Sequence, residues 1–112
     1  LTNKQYQIIL KELIAVNNKF KAGNSFPPYT LKSQLGKDVS ISDMQGKYLF
    51  IDFWFTSCGG CVREMKNFPK LISKYKDKIT FLSISVDESI ERMQNFIKKN
   101  NYQWTFWHVG RE

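Results

Sequence analysis

The chain has 112 residues, which is the size of one small domain with a single hydrophobic core. Hydrophobic residues make up 42% and charged residues 24%, a globular composition that excludes an intrinsically disordered chain. The net charge of +7 comes mainly from lysines that are scattered along the sequence. Because nucleic-acid-binding proteins cluster their basic residues on one face, we expect no nucleic-acid partner.

The sequence carries no targeting or membrane-spanning signal of its own. No apolar run approaches the roughly 20 residues that a membrane span requires, and no signal-peptide pattern opens the chain. The first residue is Leu1 and not a methionine. We therefore expect an upstream segment, such as a signal, a membrane tether or another domain, to lie outside this chain.

The first predicted element is an amphipathic helix over residues 2 to 22. Thr2 and Gln5 fit a capping box, and Gly23 fits a C-terminal stop. We expect the helix to pack its apolar stripe on the domain's own core, with docking on a separate domain as the alternative. The stripe recurs at helical spacing, with one polar interruption at Asn17, and its apolar members are Tyr6, Ile9, Leu10, Leu13, Ile14 and Phe20.

Two prolines at 27 and 28 then break the chain, so residues 1–25 are interpreted as a helix and linker and residues 26–112 as a separate domain. That domain is expected to begin with a short extended segment, a small hairpin and one helical turn. Tyr48–Phe55 is almost continuously apolar, which predicts a strand buried on both faces. Asp52 interrupts this run, and a buried carboxyl is costly unless it is partnered or used.

The second half of the chain alternates helix and strand. A helix is predicted over residues 58–76 with a kink at Pro69, followed by a buried strand over Ile79–Val86. Asp87 or Ser89 is expected to cap a further helix. This order predicts an α/β domain with a right-handed crossover.

The two cysteines of the chain form a Cys58-Gly59-Gly60-Cys61 motif between a predicted buried strand and a predicted helix. A helix N-terminus stabilises a thiolate, which is the species that attacks a disulfide. Two intervening residues place both sulfurs within bonding reach across one helical turn. We expect Cys58 to be the exposed attacking thiol and Cys61 to be the buried resolving thiol.

Other uses of a cysteine pair fit this sequence less well. A structural disulfide gains more from closing a long loop than from closing this short one. A zinc site needs about four ligands, and one pair of cysteines with His108 as the sole histidine does not supply them. The sequence therefore predicts no metal and no cofactor.

Two carboxylates are candidates to support the thiol chemistry. Asp52 lies six residues before Cys58, on the predicted strand that runs toward the motif. Burial should raise the pKa of Asp52 and make it a proton acceptor for Cys61. Glu64 lies one turn beyond Cys61 on the predicted helix. The alternatives are a hydrogen-bonded polar residue at position 52 and a solvated surface glutamate at position 64.

The segment IDFWFTSCGGCVREM, over residues 51–65, resembles the active-site segment of thioredoxins and more closely that of thiol–disulfide oxidoreductases of the TlpA and ResA type. The phrase YTLKSQLGKDVSISDMQGK before it is similar to the entry into the same fold, and the resemblance covers roughly residues 26–107. It implies a thioredoxin-like three-layer α/β/α fold. Asp52 matches the buried aspartate of thioredoxins, Trp54 the tryptophan of their strand, and Glu64 a glutamate of the ResA type.

The resemblance also implies the activity and the setting of the protein. It implies a reductase of protein disulfides outside the cytoplasm, in the bacterial periplasm, which receives electrons from an upstream thiol protein. Cys58, Cys61, Asp52 and Glu64 would be catalytic. The substrate would be contacted by Trp54, Ser57, Gly59 and Gly60.

The sequence departs from this family pattern in several places. Ser57 replaces a tryptophan, and Gly60 replaces a proline. No proline follows Pro69, so the loop with a cis-proline that faces the cysteines in the family is expected to be missing, together with the last strands and helix. An unprotected sheet edge would then invite strand exchange or dimerisation, or leave substrate binding weak.

Two other functions remain open at the level of the sequence. A peroxiredoxin-like thiol peroxidase would carry a threonine three residues before the reactive cysteine, where this chain has Phe55 and places Thr56 one position later. A copper-binding thioredoxin-like module would use Cys58, Cys61 and His108, although such modules favour one more residue between the cysteines.

Overall fold

The computed structural model describes residues 2–19, 21–25, 28–44 and 48–110. Its helices are α1 (Asn3–Lys19), α2 (Gly59–Met65), α3 (Phe68–Tyr75) and α4 (Ile90–Asn100), with a 3-10 helix over Ile41–Met44. Its strands are β1 (Thr30–Ser33), β2 (Asp38–Ser40), β3 (Tyr48–Trp54), β4 (Ile79–Ser85) and β5 (Thr105–His108). None of the helices in these ranges is long and apolar enough to cross a membrane.

The five strands form one mixed sheet in the order β2-β1-β5-β4-β3. Strands β3, β4 and β5 are parallel, whereas β1 runs antiparallel to both of its neighbours. The carboxyl ends of the three parallel strands therefore meet at one edge of the sheet, where α/β proteins place their functional groups. The predicted hairpin and helical turn are confirmed as β1, β2 and the 3-10 helix.

The sheet has a hydrophobic cluster on each face. Helices α2, α3 and α4 all pack on one face, in a cluster of Trp54, Met65, Phe68, Met93, Ile97 and Phe106. The other face is covered within the described chain by the 3-10 helix, in a cluster of Ile41, Leu82, Ile84 and Trp107. The α/β prediction is confirmed, and helices α2, α3 and α4 share one side of the sheet.

Strand β3 was expected to be buried on both faces, and the structure corrects this. It lies at the edge of the described sheet, and Tyr48 is 81% exposed and Phe53 60% exposed. Burial on both faces is found instead in β4, which lies between β3 and β5. An apolar run in the sequence predicts a strand, but the elements beside that strand in the sheet decide how far the strand is buried.

The predicted helix over residues 58–76 is broken rather than kinked. Helix α2 ends at Met65, and α3 begins at Phe68 after a turn at Lys66 and Asn67. Pro69 stands in the first turn of α3, where its missing N–H removes no intrahelical hydrogen bond. Proline here starts a new helix, and α2 is left with seven residues.

The capping box of α1 is confirmed, because Thr2 N donates to Gln5 Oε1 at 2.7 Å and Gln5 N donates to Thr2 Oγ1 at 3.2 Å. The predicted end at Gly23 is wrong, since the helix stops at Lys19. The prediction that its apolar stripe packs on the core is also wrong: the large apolar side chains of α1 between Tyr6 and Val16 are 43% to 62% exposed. Phe20 lies outside the described residues.

Candidate functional site

The two cysteines form a disulfide at the junction of β3 and α2. Cys58 and Cys61 have their Cα atoms 5.3 Å apart and are joined through their sulfur atoms. Cys58 is the N-cap of α2, and its Sγ accepts a hydrogen bond from Cys61 N at 3.3 Å. The backbone N–H that contacts this sulfur is one of those that the first turn of a helix leaves without an intrahelical partner.

The surroundings of the two sulfurs differ. Cys61 packs against the cluster of Trp54 and Met65, whereas Cys58 belongs to neither hydrophobic cluster of the described residues. Both residues are half-buried, so Cys58 is less exposed and Cys61 is less buried than the sequence predicted. Gly59 and Gly60 are exposed, and a Cβ atom at either position would meet no atom of the described residues within 4 Å.

Asp52 lies on the face of β3 that is covered by the helices, two residues before the fully buried Trp54. Its Oδ2 is buried and has no hydrogen-bond partner among the described residues. This burial raises the pKa of the Asp52 carboxyl above its ordinary value of 3.8, and the negative charge of Glu64 raises that pKa further. The structure thus brings Asp52 and the exposed Glu64 within electrostatic reach of each other.

Trp54 was expected to contact substrate, and the structure places it elsewhere. Its side chain is fully buried and packs on Phe96 and Phe106, with ring centroids 5.7 and 5.6 Å away. The buried indole therefore offers no surface to a bound protein. Ser57, in contrast, is exposed beside the disulfide, and its contact with substrate stays a prediction.

A buried carboxylate next to the cysteine loop was missed by sequence reasoning. Asp87 does not cap α4, because Ser89 does so by accepting a hydrogen bond from Arg92 N at 3.3 Å. Asp87 instead accepts from Thr56 N at 3.0 Å and from Thr56 Oγ1 at 2.9 Å. The available signal was an ionisable residue placed directly after a buried parallel strand, at the edge where such strands end.

His108 is buried at the carboxyl end of β5 and has both ring nitrogens engaged. Its Nδ1 accepts from Gly110 N at 3.0 Å, and its Nε2 lies 2.7 Å from the backbone oxygen of Asp87. The described residues contain no group of three or more side chains placed to hold a metal ion. The alternative in which His108 serves as a copper ligand is therefore not supported by its contacts.

The model of the AhpC/TSA family matches residues 22–108 of the chain. The thiol-disulfide oxidoreductase ResA of a Bacillus cereus strain is 31% identical over 86 residues, which are 76% of this chain and 50% of the relative. ResA of Bacillus subtilis (strain 168) is 30% identical over 94 residues, which are 80% of this chain and 51% of the relative. The chain spans about half the length of these curated relatives.

Comparison of the fold with solved structures gives the same result. The crystal structure of the thioredoxin domain of a thiol-disulfide oxidoreductase from Bacteroides vulgatus matches with a TM-score of 0.71 and 28% identity, over 82% of this chain and 66% of that one. The predicted resemblance is thereby confirmed. Because the family model covers more than half of the residues, the chain belongs to the AhpC/TSA family, as a thioredoxin-like protein of the ResA/TlpA type.

Proposed function

We propose that this chain carries out thiol–disulfide exchange at Cys58 and Cys61, as a reductase of protein disulfides. The observation that carries the proposal is the disulfide across the first turn of α2, at the edge where the parallel strands end. A bond between residues three apart closes a very short loop, so it adds little to stability and is suited to repeated opening and closing.

The exchange begins with the reduced pair. The Cys58 thiolate, which the Cys61 N–H can stabilise, attacks one sulfur of a substrate disulfide. The substrate S–S bond breaks, one substrate sulfur leaves as a thiolate, and a mixed disulfide joins Cys58 to the other. Cys61 then attacks Cys58 Sγ and releases the second substrate thiolate. Two electrons pass to the substrate, and the protein returns to the disulfide form.

Asp52 is proposed as the acceptor of the Cys61 proton. A thiol must lose its proton before it can attack, and a base works best when its pKa is close to the ambient pH. Burial raises the pKa of Asp52 toward the ambient pH, and the negative charge of Glu64 raises this pKa further. Renewal of the dithiol requires electrons from an upstream thiol protein, which is the second partner that we propose.

The reduction potential of the pair tests the activity. The protein would be equilibrated with thiol buffers, its free thiols alkylated and the two redox forms counted by mass. A potential near the roughly −270 mV of thioredoxin would support a reductase, and one near −120 mV would instead indicate an oxidant. Cys58→Ser and Cys61→Ser are the matched controls, and a pair that never exchanges with the buffer would refute the proposal.

We further propose a location outside the cytoplasm, in the bacterial periplasm, with any membrane tether outside this chain. The support is the likeness of residues 51–65 to the ResA type. Labelling Cys58 and Cys61 in intact cells with a membrane-impermeant thiol reagent would test it. Labelling only after lysis would place the protein inside.

Strand β3 supports a proposal about self-association. It is the edge strand of the described sheet, and its side chains Phe50 and Phe53 are exposed. An exposed apolar edge strand can pair with a strand of another chain. We expect concentration-dependent dimers in sedimentation velocity, and expect Phe53→Lys to weaken them. A wild-type chain that stays monomeric at every concentration would contradict this.

The peroxidase alternative is not favoured by the contacts of Thr56. Its hydroxyl donates to the Asp87 carboxylate at 2.9 Å and is thereby directed toward β4. Rapid peroxide consumption by the reduced chain in the absence of a disulfide substrate would revive this alternative.

A further inference from the structure

The carboxylate of Asp87 has no part in the exchange described above, although it is 5% exposed and lies beside the cysteine loop. Its Oδ1 accepts from Thr56 N at 3.0 Å and from Thr56 Oγ1 at 2.9 Å, and its Oδ2 accepts from Ser85 Oγ at 2.6 Å. All three partners are donors. A carboxylate accepts at both oxygens and presents no donor of its own, so it matches this set in a way that an amide does not.

The bonds from Asp87 reach the cysteine loop at one residue. Thr56 stands two residues before Cys58, and both of its donors, the backbone N–H and the hydroxyl, point to Asp87. A turn in which Cys58 N donates to Phe55 O at 3.0 Å carries this constraint on to Cys58. Phe55 is 41% exposed and Ser57 is exposed, so side-chain packing contributes little to holding the loop.

Asp87 is itself held in place by the two neighbouring strand ends. Its backbone N donates at 3.1 Å to Oγ of Ser85, the last residue of β4. Its backbone oxygen lies 2.7 Å from Nε2 of the buried His108 at the end of β5. Val86 N also donates to Trp54 O at 2.9 Å, which joins the ends of β3 and β4. The loop before Cys58 is thus hydrogen-bonded to a carboxylate that is itself held at the ends of β4 and β5.

We propose that Asp87 is a positioning residue for thiol–disulfide exchange, which holds Cys58 at bonding distance from Cys61 through Thr56. The inference rests on the proposed function, since it concerns the equilibrium of the same pair. In the disulfide form the S–S bond itself restrains Cys58. In the dithiol form Cys58 is restrained by the loop and by the Cys61 N–H, and a free loop lowers the effective concentration of one sulfur at the other.

This role has a thermodynamic consequence that a purely structural role lacks. If the bonds to Asp87 favour ring closure, their loss shifts the folded protein toward the dithiol. By linkage, the same loss must then reduce the stability of the disulfide form more than that of the dithiol form. A residue that only stabilises the fold would reduce both stabilities equally and leave the redox equilibrium unchanged.

The test measures the equilibrium constant for oxidation of the pair by glutathione, together with urea unfolding of both redox forms. Thr56→Val removes one donor to Asp87 and keeps the backbone N–H, and we expect the constant to fall about threefold. Asp87→Asn leaves one acceptor oxygen for three donors, and we expect a fall of about tenfold. Thr56→Ser keeps the hydroxyl and should restore the wild-type constant. Asp77→Asn, at an exposed site before β4, is the control.

Constants for Thr56→Val and Asp87→Asn within about twofold of wild type, with equal losses of stability in both redox forms, would overturn the inference. If Asp87→Asn does not fold, the comparison of Thr56→Val with Thr56→Ser decides alone. A wild-type pair that does not exchange with glutathione would refute the proposed function itself. If the wild-type pair exchanges with glutathione and the variants have the same constant as wild type, only the role of Asp87 is refuted.

Discussion

Replacing Asp52 with asparagine should stabilise the protein and slow its chemistry. The carboxyl is partly buried, its Oδ2 has no hydrogen-bond partner among the described residues, and both its burial and Glu64 disfavour the charged form. A buried polar group without a partner costs about 1–3 kcal/mol. Because the carboxyl is only partly buried and an asparagine in its place would remain polar, we expect Asp52→Asn to gain about 1 kcal/mol at neutral pH.

The pH dependence of stability tests this prediction more sharply than the gain in stability at neutral pH does. The folded protein holds the Asp52 proton more tightly than the unfolded chain does, so unfolding releases this proton. The contribution of Asp52 to stability is therefore fully present below its ordinary pKa of 3.8 and is lost as the pH rises to the raised pKa of the folded state. Asp52→Asn should abolish this loss, so the two stability curves should diverge with rising pH.

Two assays check the prediction. Urea unfolding across the pH range measures stability, and stopped-flow reaction with an aromatic disulfide separates attack by Cys58 from resolution by Cys61. Only the resolution step should slow in Asp52→Asn, by about 10²-fold, which is the lower end of what a general base contributes. Asp77→Asn serves as the control at an exposed aspartate. A variant less stable than wild type at neutral pH, or one with an unchanged resolution rate, would refute the reasoning.

Three further changes test separate parts of the structure. Glu64→Gln removes a like charge that raises the Asp52 pKa, so the pH profile of resolution should move to lower pH, and an unmoved profile would contradict this. Gly60→Ala should raise stability in urea by about 0.5–1 kcal/mol, because Ala favours helix and the added Cβ meets no atom, whereas a loss would indicate a hidden clash. Ser89→Ala removes the acceptor for Arg92 N and should cost about 1 kcal/mol in thermal unfolding, and an unchanged midpoint would argue against the cap.

The features that sequence analysis predicted well depend on residues that are close together in the chain. Thr2 and Gln5 of the capping box are three positions apart, and so are Cys58 and Cys61. The side of the sheet on which Asp52 lies follows from strand alternation, because it shares a face with the buried Trp54. Each of these follows from local geometry alone.

The features that sequence analysis missed depend on contacts between distant segments. Thr56 and Asp87 are separated by 31 positions, so their pairing follows from the neighbouring places of β3 and β4 in the sheet. The exposure of β3 likewise depends on a non-local feature, namely its position at the edge of the described sheet. The stripe of α1 has the spacing of a core-facing helix, and spacing states only that a helix has an apolar side. Whether that side is covered depends on the rest of the molecule.

The open space around Gly59 and Gly60 separates the redox properties of the site from the stability of the core. No described side chain packs against either position, because a Cβ at each would meet no atom of residues 2–19, 21–25, 28–44 and 48–110 within 4 Å. Residues of many sizes can therefore occupy both positions while the clusters on the two faces of the sheet stay as they are. Such residues would lie beside the disulfide, where they alter loop stiffness and the charge near Cys58. Selection, or an engineer, can thus adjust the reduction potential and the choice of partner at these two positions without redesigning the fold.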